Sequence, residues 1–344
     1  MNSKNINLIG NDLLSNENKL KQKESVQGCL IIKEANEWVD EAKRRPIPNM
    51  LFSELWYENE LAILFADTNI GKSILAVQIA DSLSRGKPIA GFKLECQPKK
   101  VLYLDFELSD KQFENRCSNN YKEHYVFNHN FLRAEINTDL DIPKEYSGIE
   151  DYLCKTLNES ISKNNVDVLI IDNLTYLKSD NERAKDALEL MKQLKKLAKT
   201  SGVSILVLAH TPKRDETKAI SKNDLAGSKM LMNFCDSSFA IGASSQDSSL
   251  RYIKQIKQRN TEHLYHGDNV VLCQINKEQN FLKFEFLGFG NELEHLKTFG
   301  TNSKEESNNQ LLELVEKGIS NVQIGKELGI HEATVRQRRT KLGI

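Results

Sequence analysis

The chain has 344 residues, 39% hydrophobic and 28% charged, with a formal net charge of −1. That length accommodates one large domain and a small one, in a composition ordinary for a globular chain. A charge this close to zero excludes whole-surface attraction to nucleic acid, so any nucleic-acid surface is expected as a local patch.

No apolar run approaches a membrane span and the N-terminus is polar, so no membrane partner and a cytoplasmic location are expected. Cys29, Cys96, Cys117, Cys154, Cys235 and Cys273 are scattered with no C-x-x-C and read as small buried hydrophobes. His263 and His266 are spaced H-x-x-H without further ligands nearby, and read as loop histidines rather than a zinc site.

In chain order, the stretch up to about Glu24 is rich in Asn, Lys, Ser and Glu, and residues 1–28 read as a flexible arm. Leu30 to Arg45 is expected as a helix with Ile31, Ala35, Trp38, Val39 and Ala42 on one face, ended by Pro46 and Pro48. It either packs on its own chain or docks on a neighbouring subunit. Leu61 to Phe65 is a continuous apolar run, suited to a strand buried on both faces of a parallel sheet. Gly71, Lys72 and Ser73 then open a helix whose apolar face is Leu75, Ala76, Ile79, Ala80 and Leu83.

Between strand and helix lie Ala66, Asp67, Thr68, Asn69 and Ile70. A loop that opens a helix after a buried strand turns backbone N–H groups toward an anion, and the helix dipole adds to the attraction. The stretch from Ala66 through Ile74 is therefore the candidate site for ATP. Lys72 is placed to reach the β- and γ-phosphates and the Ser73 hydroxyl to hold Mg²⁺. The pattern G-x-x-x-x-G-K-[ST] has Ala66 where its first glycine belongs, and Asp67 brings a carboxylate close to the phosphates unless it points away. The competing reading is a core helix that merely starts at a glycine.

Val101 to Phe106 is a second buried strand, followed by Glu107 and by Ser109, an N-cap candidate for a helix carrying Phe113 and Arg116. Ile149 to Ser162 reads as a helix, Val166 to Ile171 as a strand ending in Asp172, and Asn181 to Thr200 as an amphipathic helix. Val203 to Ala209 is a strand ending in His210. Alternating buried strands and helices give βαβ units, a parallel sheet and helices on both faces. Ligands of such sheets sit beyond the carboxyl ends of the strands. Glu107, Asp172 and His210 each come directly after a buried strand and so converge on the edge that carries the phosphate loop.

Thr211 to Asp224 carries Lys213, Arg214, Lys218 and Lys222 with few large apolar residues and reads as a mobile basic loop. Ala226 to Phe234 reads as a short helix. Phe239 to Ala243, Leu250 to Lys257, Asn269 to Asn276 and Phe281 to Leu287 read as strands extending the sheet in antiparallel fashion. Residues 291–307 are expected as a linker, closing a domain over 29–290.

Residues 308–344 read as a separate helical unit. Ser320 is an N-cap candidate for Val322 to Leu328, Gly329 supplies the turn, and Ala333 to Leu342 is the next helix. Helix, glycine turn, helix is the helix-turn-helix pattern, with Ile324, Leu328, Ile330, Val335 and Leu342 as its core. The last helix carries Arg336, Arg338, Arg339 and Lys341, the basic face that duplex recognition needs. The alternative is a solvated basic helix in a small interaction module.

The order of motifs from Glu60 to about Asn260 resembles the RecA-like P-loop ATPases. Within them it is most similar to the RepA and DnaB type of hexameric replicative helicase, the RepA-like AAA family ATPases of mobile elements. VLYLDFELSDKQFENR resembles that family's segment with the catalytic glutamate, which implies that Glu107 polarises the attacking water. VDVLIIDNL resembles its Walker B strand, which implies that Asp172 holds Mg²⁺ through water. LVLAHTPKR resembles its sensor strand, with His210 reading the γ-phosphate. Lys257-Gln258-Arg259-Asn260 is similar to the family's K-x-R motif, which implies that Lys257 and Arg259 act in a neighbouring subunit's site. Ala66 departs from the family's loop and puts turnover rate in question.

The expected fold is α/β: a RecA-like P-loop core, mostly parallel with helices on both faces and an antiparallel extension, plus a small all-α helix-turn-helix. The expected function is an ATP-hydrolysing DNA motor, a hexameric-ring helicase or translocase in replication of a plasmid or integrated element. Single-stranded DNA would occupy the channel, and the helix-turn-helix would hold duplex. An ATP-switched DNA-binding regulator or adaptor without unwinding is the alternative. A third reading is an ATPase that senses foreign DNA in defence.

Overall fold

The computed structural model describes residues 25–137, 139, 141–146, 148–173, 183–212, 214–225, 228–297 and 303–344. The arm expected before Ser25 lies outside the described residues. The chain forms two compact units that divide after Pro48.

In the first unit, β1 (Ser25–Gln27) pairs antiparallel with β2 (Leu30–Ile32), and α1 covers Ala35–Lys43. The expected helix over Leu30 to Arg45 therefore starts at Ala35. Gly28 turns the chain with φ 61°, and Gln27 meets Leu30 as the closing pair of a hairpin.

The second unit opens with β3 (Met50–Phe52) and β4 (Trp56–Tyr57), a short ribbon. Next come β5 (Leu61–Ala66), α2 (Lys72–Arg85), β6 (Val101–Asp105) and α3 (Asp110–Arg116). A two-strand ribbon, β7 (Ser118–Asn119) with β8 (Glu123–His124), precedes β9 (Phe131–Ala134). The chain continues through α4 (Ile149–Asn164), β10 (Val168–Asp172), α5 (Arg183–Ser201) and β11 (Ser204–His210). After α6 (Ser228–Phe234) come β12 (Ser237–Ala243), β13 (Leu250–Lys257), β14 (Val270–Glu278) and β15 (Phe281–Gly290).

Among the described residues one sheet dominates, in the order β15-β14-β13-β12-β5-β11-β10-β6-β9. The strands from β12 to β9 run parallel to their neighbours; β13, β14 and β15 extend the sheet antiparallel. This is a RecA-like α/β fold. The antiparallel extension expected from Phe239 onward begins one strand later, because β12 pairs in parallel with β5.

Side chains alternate across the pleat, so β5 feeds two cores. Leu61, Ile63 and Phe65 pack with Leu157 and Ile161 of α4 and with Leu190 and Leu194 of α5. Ala62, Leu64 and Ala66 pack with Leu75, Ala76 and Ile79 of α2. Burial on both faces is why the run is continuously apolar.

The polar stretch expected to begin a linker at residue 291 is held in the core through Leu296. Glu292 and His295 are 1% and 2% exposed, in a 3₁₀ turn over Glu292–His295. Glu292 accepts from Lys254 Nζ (2.5 Å) and Ile220 N (2.7 Å), and Ser244 Oγ pairs with His295 Nδ1 (2.9 Å). A buried carboxylate stays only where donors of this kind meet it.

The terminal helices are α7 (Ser303–Glu316), α8 (Asn321–Leu328) and α9 (Glu332–Leu342). Ser320 accepts from Gln323 N as an N-cap, and Gly329 at φ 64° ends α8. Leu311, Ile324, Ile330 and Val335 form the core, whereas Leu342, expected inside, is 37% exposed in the last turn of α9.

Candidate active site

The register of the parallel strands builds the site. Ala66, where the loop leaves β5, lies opposite His210 of β11, and Asp172 of β10 lies opposite Asp105 of β6. The loop and the three expected strand-end residues therefore share the carboxyl edge.

Within the loop the left-handed backbone falls on Asn69 (φ 63°) and Gly71 (φ 111°), whereas Ala66 has no positive φ. The missing first glycine thus costs no backbone strain. Gly71 is needed for space as well: a Cβ there would meet Ile275 Cδ1 at 2.9 Å and Phe284 Cζ at 3.0 Å. Thr68 and Asn69 are exposed at the turn, Ile70 and Ile74 pack against the α2 side of the sheet, and Ser73 is half-buried in the first turn of α2.

The Asp67 carboxylate points away from the loop's interior. It accepts from the Thr211 hydroxyl and pairs with Arg214 Nε at 3.3 Å. Arg214, expected on a mobile DNA-contacting loop, is only 7% exposed at its side chain and also donates to Lys218 O (3.2 Å). A guanidinium spent on Asp67 in this way is not a free phosphate contact. Lys218 and Lys222 are exposed, and Lys213 lies outside the described residues.

Lys72 Nζ is buried and donates to Ala66 O and Asp67 O, each at 3.0 Å. Its pKa is lowered by burial, against the opposing pull of Asp172, Glu107 and Asp67. The ammonium also lies 3.1 Å from His210 Nδ1. Because an ammonium can only donate, Nδ1 accepts here, which leaves the opposite ring nitrogen, Nε2, to the neighbouring strand ends. That nitrogen faces Glu107 Oε1 at 3.3 Å. The hydrogen bond from His210, opposed by desolvation, keeps the Glu107 carboxyl below the usual carboxylate range. An ionised, half-exposed carboxylate at this edge can orient a water and take its proton.

Two positioning groups have no motif in the sequence. Asn173 touches both Glu107 and His210 through its amide. Asp105 accepts from Glu107 N (3.2 Å) and Leu108 N (2.9 Å) on one oxygen and from Arg133 Nε (3.0 Å) on the other. Arg133 then reaches Leu108 O at 2.8 Å, so the turn carrying Glu107 is held from both sides.

Asp172 is fully buried, and burial raises its carboxyl to about 6. Tyr103 Oη donates to Oδ2 at 2.6 Å, whereas Oδ1 has no hydrogen-bond partner. Ser73 lies close enough for its hydroxyl to favour the charged form. A buried, unpartnered carboxylate oxygen beside a hydroxyl at a phosphate loop fits a hydrated divalent cation. Ser73 and Asp172 would hold Mg²⁺ here, and Mg²⁺ would screen the phosphate charge.

The other two expected catalytic residues are elsewhere. Lys257 is paired with Ser238, near the start of β12, at the opposite edge of the sheet. Its Nζ donates to Met232 O (2.5 Å) and Cys235 O (2.7 Å), capping the end of α6. Arg259 is half-exposed and reaches Asp236 Oδ1 at 3.3 Å.

On α9, Arg336 points to solvent and pairs with Glu332 (2.5 Å), and Arg339 donates to Asn321 Oδ1 (2.8 Å). Arg338 and Lys341 instead face the β12–β13 turn. Arg338 donates to Gln246 O, and Lys341 pairs with Asp247 at 3.4 Å.

Fold and site together define a P-loop ATPase core. Residues 32–216 match the AAA domain family, and the chain belongs to it. It is accordingly an ATP-binding and ATP-hydrolysing protein. A solved structure similar to it is the KaiC-like protein PH0186 from the hyperthermophilic archaeon Pyrococcus horikoshii OT3. The two are 13% identical with a TM-score of 0.44, over 67% of this chain and 90% of that one. No curated protein matches the chain. Among the described residues no helix is long and apolar enough to cross a membrane.

Proposed function

We propose that this chain is an ATP-driven DNA motor, a ring-forming helicase or translocase whose subunits complete one another's sites. The observation that carries it is the separation of Lys257 and Arg259 from the phosphate loop. Ser238, opposite Lys257, is also opposite Ile63, whereas the loop leaves at Ala66. At about 3.3 Å per residue, three residues of strand are roughly 10 Å, before two strand spacings are added across the sheet. Neither cation reaches its own subunit's phosphates, and Arg259, half-exposed, would leave Asp236 to swing outward. A head-to-tail contact would deliver both to a neighbour's site, and such contacts close into rings. Glu107 would polarise the attacking water and His210 would report the γ-phosphate to the loop beyond it. Lys218 and Lys222, with Lys213, would follow a single strand's backbone.

The test is ATP turnover at fixed low salt, alone, with single-stranded DNA and with duplex, with Glu107→Gln as the blank. Mixing Lys72→Ala with Arg259→Ala subunits is the decisive arm. Shared sites restore activity above the sum of the two inactive proteins. A merely additive mixture would sink the shared-site reading, and turnover without single-strand stimulation or unwinding of a forked duplex would sink the motor.

A second reading, an ATP-switched duplex-binding regulator, is favoured by one observation: part of the basic face of α9 is engaged by the ATPase core.

A further inference from the structure

The contact between α9 and the core is a built seat. Gln246 Nε2 donates to Gly329 O (3.0 Å) in the turn before α9, and Gln337 Nε2 to Ser249 Oγ (3.2 Å). Arg338 donates to Gln246 O, and Lys341 pairs with Asp247 Oδ2 at 3.4 Å. The turn itself is rigid: Asp247 Oδ1 accepts from Ser249 N (2.7 Å) and Ser249 Oγ (2.6 Å), and Asp247 is 8% exposed.

The same turn is tied to the phosphate loop. Arg251, at the start of β13, donates through Nη1 to Ser248 O (2.7 Å) and Leu250 O (2.9 Å). Its Nε donates to Ile70 O at 2.9 Å, one residue before Gly71. Asp247 pairs directly with Lys341, while Arg338 holds the Gln246 carbonyl and Arg251 the Ser248 carbonyl on either side of it. One buried carboxylate thus pairs with a cation of α9 and sits in the same turn as the cation that grips the nucleotide loop.

We infer that Asp247 makes nucleotide and duplex DNA antagonists through competition for its charge. Seated α9 satisfies Asp247 with Lys341 and leaves Arg251 on the Ile70 carbonyl, where it preorganises the loop for phosphate. Withdrawal of α9 onto a duplex strips Lys341 from Asp247 and Arg338 from the Gln246 carbonyl beside it. Arg251 is then drawn toward the bare carboxylate and off Ile70, and the loop slackens. A preorganised loop binds its ligand more tightly than a slack one. Nucleotide therefore favours the seated helix and duplex favours the empty loop, by the same factor in each direction. Arg251 is a positioning residue in this scheme. The scheme rests on the proposal that α9 binds duplex.

The test uses the full chain at fixed low salt, a short fluorescein-labelled duplex of arbitrary sequence, and a non-hydrolysable ATP analogue with Mg²⁺. Anisotropy is expected to show duplex binding weakened about fivefold by the analogue, and analogue binding weakened by the same factor when duplex is saturating. Asp247→Asn keeps an oxygen for Ser249 but removes the charge, so its factor falls to near one while duplex binds more tightly. Gln246→Ala loosens the seat alone: duplex binds more tightly and the antagonism persists. An unchanged or tighter duplex complex with analogue, or the same factor in Asp247→Asn, overturns the inference. Amide hydrogen exchange over 332–342 separates the two readings without DNA. Exchange slowed by analogue in the wild type but not in Asp247→Asn, with no duplex bound by either, upholds the coupling and removes the DNA-binding part of the proposed function. Exchange indifferent to analogue overturns the coupling itself.

Discussion

Asp172→Asn is expected to stabilise the fold while abolishing turnover. In the native chain the buried carboxyl of Asp172 is raised from 3.8 to about 6 by desolvation. A carboxyl whose folded pKa lies above its unfolded value binds more protons in the native state between those two values. Stability therefore falls as pH rises from about 3.8 to about 6, and the loss is complete at neutral pH. At about 1.4 kcal/mol per tenfold in proton activity, the rise amounts to about 3 kcal/mol as an upper bound. Asparagine removes the buried charge and keeps an oxygen to accept from Tyr103, though a neutral acceptor bonds more weakly. The expected gain is about 1–3 kcal/mol near pH 7.5, or about 2–6 °C in Tm for a unit of this size. It should shrink to nothing near pH 4. Calorimetric melts of both proteins across that range, without Mg²⁺, measure it. A variant that melts lower at pH 7.5, or by the same margin at every pH, would refute the argument that Asp172 is held at a cost for its cation.

Glu107→Gln should lower turnover by about 10²–10⁴-fold with nucleotide binding intact by titration calorimetry. His210→Ala removes the hydrogen bond that holds Glu107 low, so the acid limb of the turnover profile should move to higher pH; an unmoved limb would detach His210 from Glu107. Gly71→Ala places a Cβ 2.9 Å from Ile275 Cδ1 at φ 111°, and strain of about 1–3 kcal/mol should lower Tm and nucleotide affinity together. Asp67→Ala leaves Arg214, 7% exposed at its side chain, without its acid. Because Asp67 is itself a third exposed, the loss should be about 1–3 kcal/mol by urea unfolding, largely recovered in Asp67→Ala/Arg214→Met.

The sheet edge was legible because burial on both faces leaves a mark in the sequence. Leu61 to Phe65, Val168 to Ile171 and Ile205 to Ala209 are apolar on consecutive residues, and each run gives way to the polar groups that form the site. Local signals were legible too: Ser109 and Gln112 form a full capping box, and Ser320 and Gly329 bound α8. The groups that sequence reasoning missed have distant partners. Arg133 meets Asp105 across β6 and β9, and Arg214 turns back to Asp67; neither pairing leaves a local trace. Gly28, between two short strands, reads in the sequence as part of an arm, since three-residue strands have too little pattern to compete with helical spacing in Ile31, Ala35, Trp38 and Ala42. Glu292 and His295 are polar because they hydrogen-bond inside the core, which composition cannot separate from solvation.

The strand-end groups of the candidate site hang from adjacent parallel strands, and this fixes their spacing in discrete steps. Ala66 faces His210 and Asp105 faces Asp172 by backbone pairing, so the distances between the loop, His210 and Asp172 are counted in ladder rungs. Insertions in the crossover helices change nothing at the edge. A change at the site requires a slip of a whole residue, and such a slip would turn Leu61, Ile63 and Phe65 to the wrong core. The packing of both faces thus acts as a ratchet on the chemistry. The loops of this chain are free to diversify, while the geometry they serve can only be kept or lost outright.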